Sequence, residues 1–242
     1  MRVALISDLH GNAVSLTAVL ADIDRNGVDE IVCLGDVATL GPRPNEVIAL
    51  LRQRGCRCIL GNHDAFMVDA DLIRSYSEVP IVVDSVDWCR DRLSRDEVAF
   101  LAGFETSIEM ELGGRARALL FHGSPRSHME DLLATTDATE LDRCLGETNA
   151  TVLAGGHTHI QMMRQHRGML LVNPGSVGMP FKEYVGGHAP QIMPYAEYAI
   201  IEADGDAVQV SLRRVHVDKD SLRSEAAASS NPICRALELQ YA

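Results

Sequence analysis

One local pattern recurs five times along this 242-residue chain, and it restricts the folds open to it more than any other feature. Each time, a short apolar run is followed at once by a turn carrying aspartate, asparagine or histidine. Residues 3–7 precede Asp8 and His10, residues 31–34 precede Gly35 and Asp36, and residues 56–60 precede Asn62 and His63. Residues 116–121 precede His122, and residues 151–154 precede His157 and His159. Aliphatic, β-branched runs bounded by turns read as buried strands, and open α/β sheets carry their ligand chemistry at the carboxyl ends of strands. Five such ends converging on one sheet edge would gather these side chains into a single cluster, with Asp36 at its centre. A lone histidine after a strand is ordinarily structural. Histidines in this order, joined by Asp8, Asp36 and Asn62, point to a functional cluster.

Between these turns the periodicity changes to that of helices. Asn12 reads as the N-cap of a helix to about residue 24, with Leu16, Val19, Leu20 and Ile23 as its apolar stripe. A Gly41-Pro42 turn leads to a second helix over residues 44–54, which buries Val47, Ile48, Leu50 and Leu51. Strand, helix, strand, helix, strand is the opening of a parallel α/β fold. Residues 65–101 read as mostly helical, anchored by Trp88, Leu93, Val98, Phe100 and Leu101; they are expected to cover the rim of the site or to join copies of the chain as a homo-oligomer. Hairpins are predicted over residues 107–121 and 162–172, with a helix near 137–145 between them. The glycine- and proline-rich loop 173–180 reads as a tight turn or a rim element. Residues 195–202 and 207–215 form a late strand pair, and residues 226–230, poor in bulky apolar side chains, read as a loose connection to a terminal helix. No repeat or boundary divides the chain, so one domain over 1–242 is expected.

A formal net charge of −12 argues against broad nucleic-acid binding, which needs a Lys/Arg surface. A small phosphorylated substrate stays open, because bound cations invert the local field. The cysteines (Cys33, Cys56, Cys58, Cys89, Cys144, Cys234) form no Cys-x-x-Cys pair and read as buried free thiols of a reducing compartment. The first apolar run is interrupted by Asp8 and has no signal-peptide layout. No segment approaches the ~20 apolar residues of a membrane span. A cytoplasmic protein is expected.

The motifs Asp8-x-His10, Gly35-Asp36, Gly61-Asn62-His63-Asp64, His122 and Gly156-His157-Thr158-His159 resemble the five motifs of the calcineurin-like metallophosphoesterases, in that family's order. The stretch Asn173-Pro174-Gly175-Ser176-Val177-Gly178 extends the resemblance to its smaller bacterial and archaeal branch. The resemblance implies an α/β (α+β) four-layer sandwich, two mixed sheets flanked by helices. It implies two divalent metals per chain, one held by Asp8, His10, Asp36 and His159 and the other by Asp36, Asn62, His122 and His157. Asp36 then bridges. A shared carboxylate suits two ions about 3.5–4 Å apart, the spacing that clamps the attacking and leaving oxygens of a phosphoryl group. Four imidazoles favour manganese, iron, zinc, cobalt or nickel over magnesium and calcium.

By the same resemblance, His63 is a general acid rather than a ligand, acting on a phosphodiester or phosphomonoester attacked by hydroxide held between the metals. Some members orient this histidine with an aspartate three residues after the bridge; here Thr39 stands at that position, and Asp64 is the candidate substitute. Arg126, four residues after His122, is a candidate fork for substrate phosphate. His128, His166, His188 and His216 fit no motif and read as ordinary. Thr39-Leu40-Gly41 lacks the Asp-Arg-Gly of protein phosphatases, which favours a small phosphorylated substrate, a nucleotide among them. The alternative is a weakly catalytic metal-binding scaffold working through protein contacts. A scaffold subunit of the retromer coat is such a relative, and it lacks the histidine that His63 supplies here.

Overall fold

The computed structural model describes residues 1–184 and 188–242. The chain begins with β1 (Arg2–Ile6), α1 (Ala13–Asn26), β2 (Glu30–Cys33), α2 (Pro44–Arg54) and β3 (Arg57–Cys58). The Asn12 side chain caps α1 by accepting from the Ser15 amide at 3.0 Å. Pro44 opens α2 and Gly55, in the left-handed region, closes it. A helical run follows: α3 (Asn62–Val68), α4 (Asp71–Tyr76), α5 (Pro80–Arg90) and α6 (Arg95–Ala102). The second half holds β4 (Ile108–Gly113), β5 (Ala116–Leu120), α7 (Ala138–Leu145), β6 (Val152–Ala154), β7 (Met162–His166) and β8 (Met169–Asn173). It ends with β9 (Tyr195–Asp204), β10 (Ala207–His216), α8 (Lys219–Ala228) and α9 (Cys234–Gln240).

The strands form two mixed sheets of five, ordered β10-β9-β1-β2-β3 and β4-β5-β6-β8-β7. In the first, β1–β2 and β2–β3 are parallel while β9 runs against β1. In the second, β5–β6 and β6–β8 are parallel, with antiparallel strands at both edges. Val3, Leu5 and Val32 of one sheet meet Ile108, Leu120 and Val152 of the other in a dry middle layer. Each such buried aliphatic contributes roughly 1.5–3 kcal/mol, which holds the sheets face to face. Outside them, α1, α2 and the helical run pack over the first sheet and α7 over the second. The four-layer α/β/β/α sandwich is therefore the fold.

Two expectations change. The five turns do not share one sheet edge. Those after β1, β2 and β3 belong to the first sheet, those after β5 and β6 to the second, and they meet where the carboxyl ends of both sheets come together. The tail is also firmer than its composition implied, because α8 runs to Ala228 and buries Ala226. Alanine lacks bulk but is the best helix former. The six cysteines are unpaired thiols. Among the described residues, no helix is long and apolar enough to cross a membrane.

Candidate metal centre

The loops after β1 and β2 continue the strand pairing past the strands. The Asp8 amide donates to the Gly35 carbonyl at 2.9 Å, His10 to Asp36 at 2.9 Å and Gly11 to Val37 at 2.8 Å. This extension carries both aspartates and His10 to the same level above the sheet. Asp36 Oδ1 accepts from the His63 amide at the start of α3, 2.9 Å away. Its Oδ2 faces inward, 3.8 Å from His10 Nε2 and 3.4 Å from His122 Nε2. One oxygen thus lies near both halves of the cluster. Gly61 is required beside it, since a Cβ there would stand 2.1 Å from Asp36 Oδ1.

Five of the clustered residues have left-handed backbone: Asp8 (φ 53°), His10 (45°), Asp36 (59°), His157 (68°) and His159 (58°). Only two other non-glycine residues do so among the described residues, Leu40 and Arg167. Such conformations cost free energy and persist where the surroundings over-determine them.

The side chains converge as two groups, Asp8 with His10 and His159, and Asp36 with His122 and His157, each with ligand-type atoms within 4.8 Å of one another. Asn62 completes the second, its Oδ1 lying 3.1 Å from His122 Nε2 and 3.0 Å from His157 Nδ1. The outward nitrogens are taken up. His122 Nδ1 donates to the Leu34 carbonyl at 2.8 Å and His159 Nδ1 to the Met179 carbonyl at 2.7 Å. His10 Nδ1 faces Thr39 Oγ1 at 3.1 Å, and His157, turned the other way, presents Nε2 to Asp131 Oδ1 at 3.5 Å. A proton fixed on the outer nitrogen leaves a lone pair on the inner one, the arrangement of metal-binding imidazoles.

These inward atoms can hold a cation in place of the protons they share. His10 Nε2 and His159 Nε2 face each other at 3.1 Å, and Asp8 Oδ1, 3.4 Å from His159 Nε2, is buried without a hydrogen-bond donor. Imidazole nitrogens and a carboxylate oxygen aimed at one another across such gaps fit divalent ions with mixed imidazole and oxygen donors. Protonation follows the same logic. Burial holds His10 neutral, well below its ordinary range, with His159 and His63 adding to it. Burial would raise Asp8, but His159 and His122 outweigh it and hold the carboxyl at about 2. Burial would lower His122, yet Asp36 raises it to about 9, so in the metal-free chain it carries a proton that a metal would displace.

Two expectations about neighbouring residues need restating. Asp64 does not orient His63. Its Oδ2 accepts from the Asp36 and Gly61 amides at 2.7 and 3.0 Å and its Oδ1 from the Val37 amide at 2.8 Å, so it shapes the Asp36 loop. Thr39 serves His10 instead. His63 is held by ring packing, its centroid 5.0 Å from those of both His10 and Phe66, and its Nδ1 has no protein partner. Arg126 turns its guanidinium to Glu130, with Nε 3.0 Å from Oε2, rather than to the two ligand groups. His166 pairs with Asp142 at 2.7 Å and belongs to neither ligand group.

The loop 173–180 braces the centre. Ser176 Oγ donates to the Asp8 carbonyl at 2.7 Å, as does the Gly178 amide at 3.0 Å. Asn173 Nδ2 donates to the Gly156 carbonyl at 2.6 Å, tying in the turn that carries His157. A Cβ on Gly178 would stand 2.0 Å from the Leu9 carbonyl oxygen, so the close approach requires glycine. Asp131 was invisible in the sequence, lying in a polar stretch without periodicity.

Residues 1–204 match the calcineurin-like phosphoesterase superfamily domain, and the chain belongs to that family. A metallophosphoesterase from Sphaerobacter thermophilus superposes with a TM-score of 0.76 at 25% identity, over 100% of this chain and 98% of that one. An uncharacterized protein of Methanocaldococcus jannaschii, MJ0912, is 27% identical over 206 residues, 74% of this chain and 76% of its own. A symmetrical bis(5'-nucleosyl)-tetraphosphatase of Pectobacterium carotovorum is 35% identical over 71 residues, 28% of this chain and 25% of that enzyme.

Proposed function

We propose that this chain is a binuclear metal-dependent phosphoesterase acting on a small phosphorylated compound. The observation that carries the reading is the pair of ligand groups meeting at Asp36, with the outer imidazole nitrogens capped and the inner acceptors facing one another. Asp8, His10, Asp36 and His159 would hold one ion, and Asp36, Asn62, His122 and His157 the other. Bound there, the metals supply Lewis-acid charge and lower the pKa of water.

The chain's own residues have separate tasks. His63 stands beside His10 with Nδ1 unengaged, and serves as the acid. Water gives up a proton to solvent as its oxygen bonds to phosphorus, the ester P–O bond breaks, and the His63 proton passes to the leaving oxygen, to be replaced from solvent. Asp64 and the loop 173–180 keep the ligand turns in place. The partial match to a tetraphosphatase supports a nucleotide-like substrate.

The test is hydrolysis of p-nitrophenyl phosphate and bis(p-nitrophenyl) phosphate by manganese- or zinc-loaded protein, compared with an alkyl phosphate. His63→Gln should keep its metal and lose on the order of 10²–10⁴ in rate with the alkyl leaving group. The loss should be smaller with p-nitrophenolate, which departs with less need of a proton. Equal losses on both would remove His63 from the role of acid, and no turnover by the loaded wild type would refute the enzyme.

A further inference from the structure

Beside His63 lies an aromatic surface that the metal centre does not use. Phe66, one turn along α3, is buried at 2% exposure, its ring centroid 5.0 Å from that of His63. Tyr76, the last residue of α4, packs on Phe66 at 5.3 Å and reaches 6.3 Å from His63. Its side is open, at 46% exposure, and Leu72 on the same face of α4 is open at 41%. Burial raises the Tyr76 phenol above its ordinary range, and the Asp36 and Asp131 carboxylates add to the rise, which puts the ring within the field of both. The half-exposed ring therefore borders the centre on the side of His63.

We infer that Tyr76, backed by Phe66, is the platform on which the leaving group stacks, and that this group is a nucleoside. The inference rests on the reading of His63 as the acid and deepens it. An oxygen that takes its proton from His63 lies within hydrogen-bonding distance of that imidazole. Whatever is attached to it then has the half-exposed ring of Tyr76 within reach, its centroid 6.3 Å from that of the imidazole. The sugar of a nucleoside spans the interval between the imidazole and that face and delivers the base flat against the phenol ring. Every base has a π-face, so an aromatic platform selects for nucleosides over alkyl alcohols without reading base identity. A ring fixed from behind by Phe66 is also pre-organised, which lowers the entropy lost on binding.

The test uses two ligands that cannot be hydrolysed, the methylenephosphonate analogue of adenosine 5'-monophosphate and methylphosphonate. Calorimetric titration of the manganese-loaded full chain should give the nucleoside compound a roughly 5- to 150-fold tighter Kd, the range for stacking one base on one aromatic ring. Tyr76→Ala should remove most of that preference while methylphosphonate binds as before, and Tyr76→Phe should retain it. Equal affinities in the wild type, binding of neither compound, or a preference surviving Tyr76→Ala would each overturn the proposal. Because neither ligand turns over, a preference seen in a protein that hydrolyses no phosphoester would refute the enzymatic reading and leave the nucleoside platform standing.

Discussion

Thr39→Val is the substitution that should separate one ligand group from the other. Thr39 is fully buried, and its Oγ1 lies 3.1 Å from His10 Nδ1. Valine fills nearly the same volume but cannot accept a hydrogen bond. In the metal-free chain the imidazole N–H would be left buried and unpaired, costing about 1–3 kcal/mol of stability. With metal present, the outer partner of a histidine ligand is worth roughly 10- to 100-fold in affinity, or about 1.4–2.7 kcal/mol. The loss should fall on the group of Asp8, His10 and His159. The other group caps its histidines independently, on the Leu34 carbonyl and Asp131, and should keep its affinity. Calorimetric titration of metal-free protein with manganese or zinc resolves the two steps, and Thr39→Ser, which restores the acceptor, should restore the affinity. Equal weakening of both steps, or weakening confined to the Asn62 group, would refute the assignment.

Asp36→Asn should weaken both steps together and abolish most hydrolysis, because the oxygen near His10 and His122 is lost; two tightly held metals by elemental analysis of that variant would remove the bridging role. Glu197, against the loop 173–180 but not itself a ligand, supplies a pH test. Burial raises its carboxyl to about 7, against the opposing pull of Arg214 2.9 Å away. The native state therefore holds a proton between pH 4.5 and 7 that the unfolded chain has released. Stability from this group is fully present below about pH 4.5 and falls as pH rises to about 7, by roughly 3 kcal/mol. Glu197→Gln should flatten that part of the stability profile in urea titrations at pH 5 and pH 8, and an unchanged slope would show that the group titrates normally.

The parts legible in the sequence were those fixed locally. Each ligand turn follows its own apolar run, and the first two helices announce themselves by Asn12 and by the apolar spacing of Val47, Ile48, Leu50 and Leu51 after the Gly41-Pro42 turn. The division into two sheets was legible only through the family resemblance, because strand pairing is decided by residues far apart in the chain. Asp64 misled for a geometric reason: successive helix residues do not face each other, so adjacency to His63 along α3 takes its carboxylate elsewhere. Thr39 was read only as a departure from a family aspartate, because nothing local shows that its hydroxyl faces His10. Asp131 and Tyr76 carry no pattern at all, since they act through places reached only after the loops fold over the centre.

The left-handed backbone at Asp8, His10, Asp36, His157 and His159 sets bounds on descent as well as on geometry. Asparagine, aspartate and histidine tolerate that region better than other side chains, and β-branched or bulky ones are strained there. Mutational steps at these positions are thereby channelled among a few residue types before any question of metal preference arises. A lineage can exchange a carboxylate for an amide or an imidazole and keep the turn. It cannot place a valine, an isoleucine or a threonine there without reshaping the loop. The main chain thus restricts the alphabet at these positions before the ligand chemistry, which at Asp36 also demands the carboxylate, selects within it.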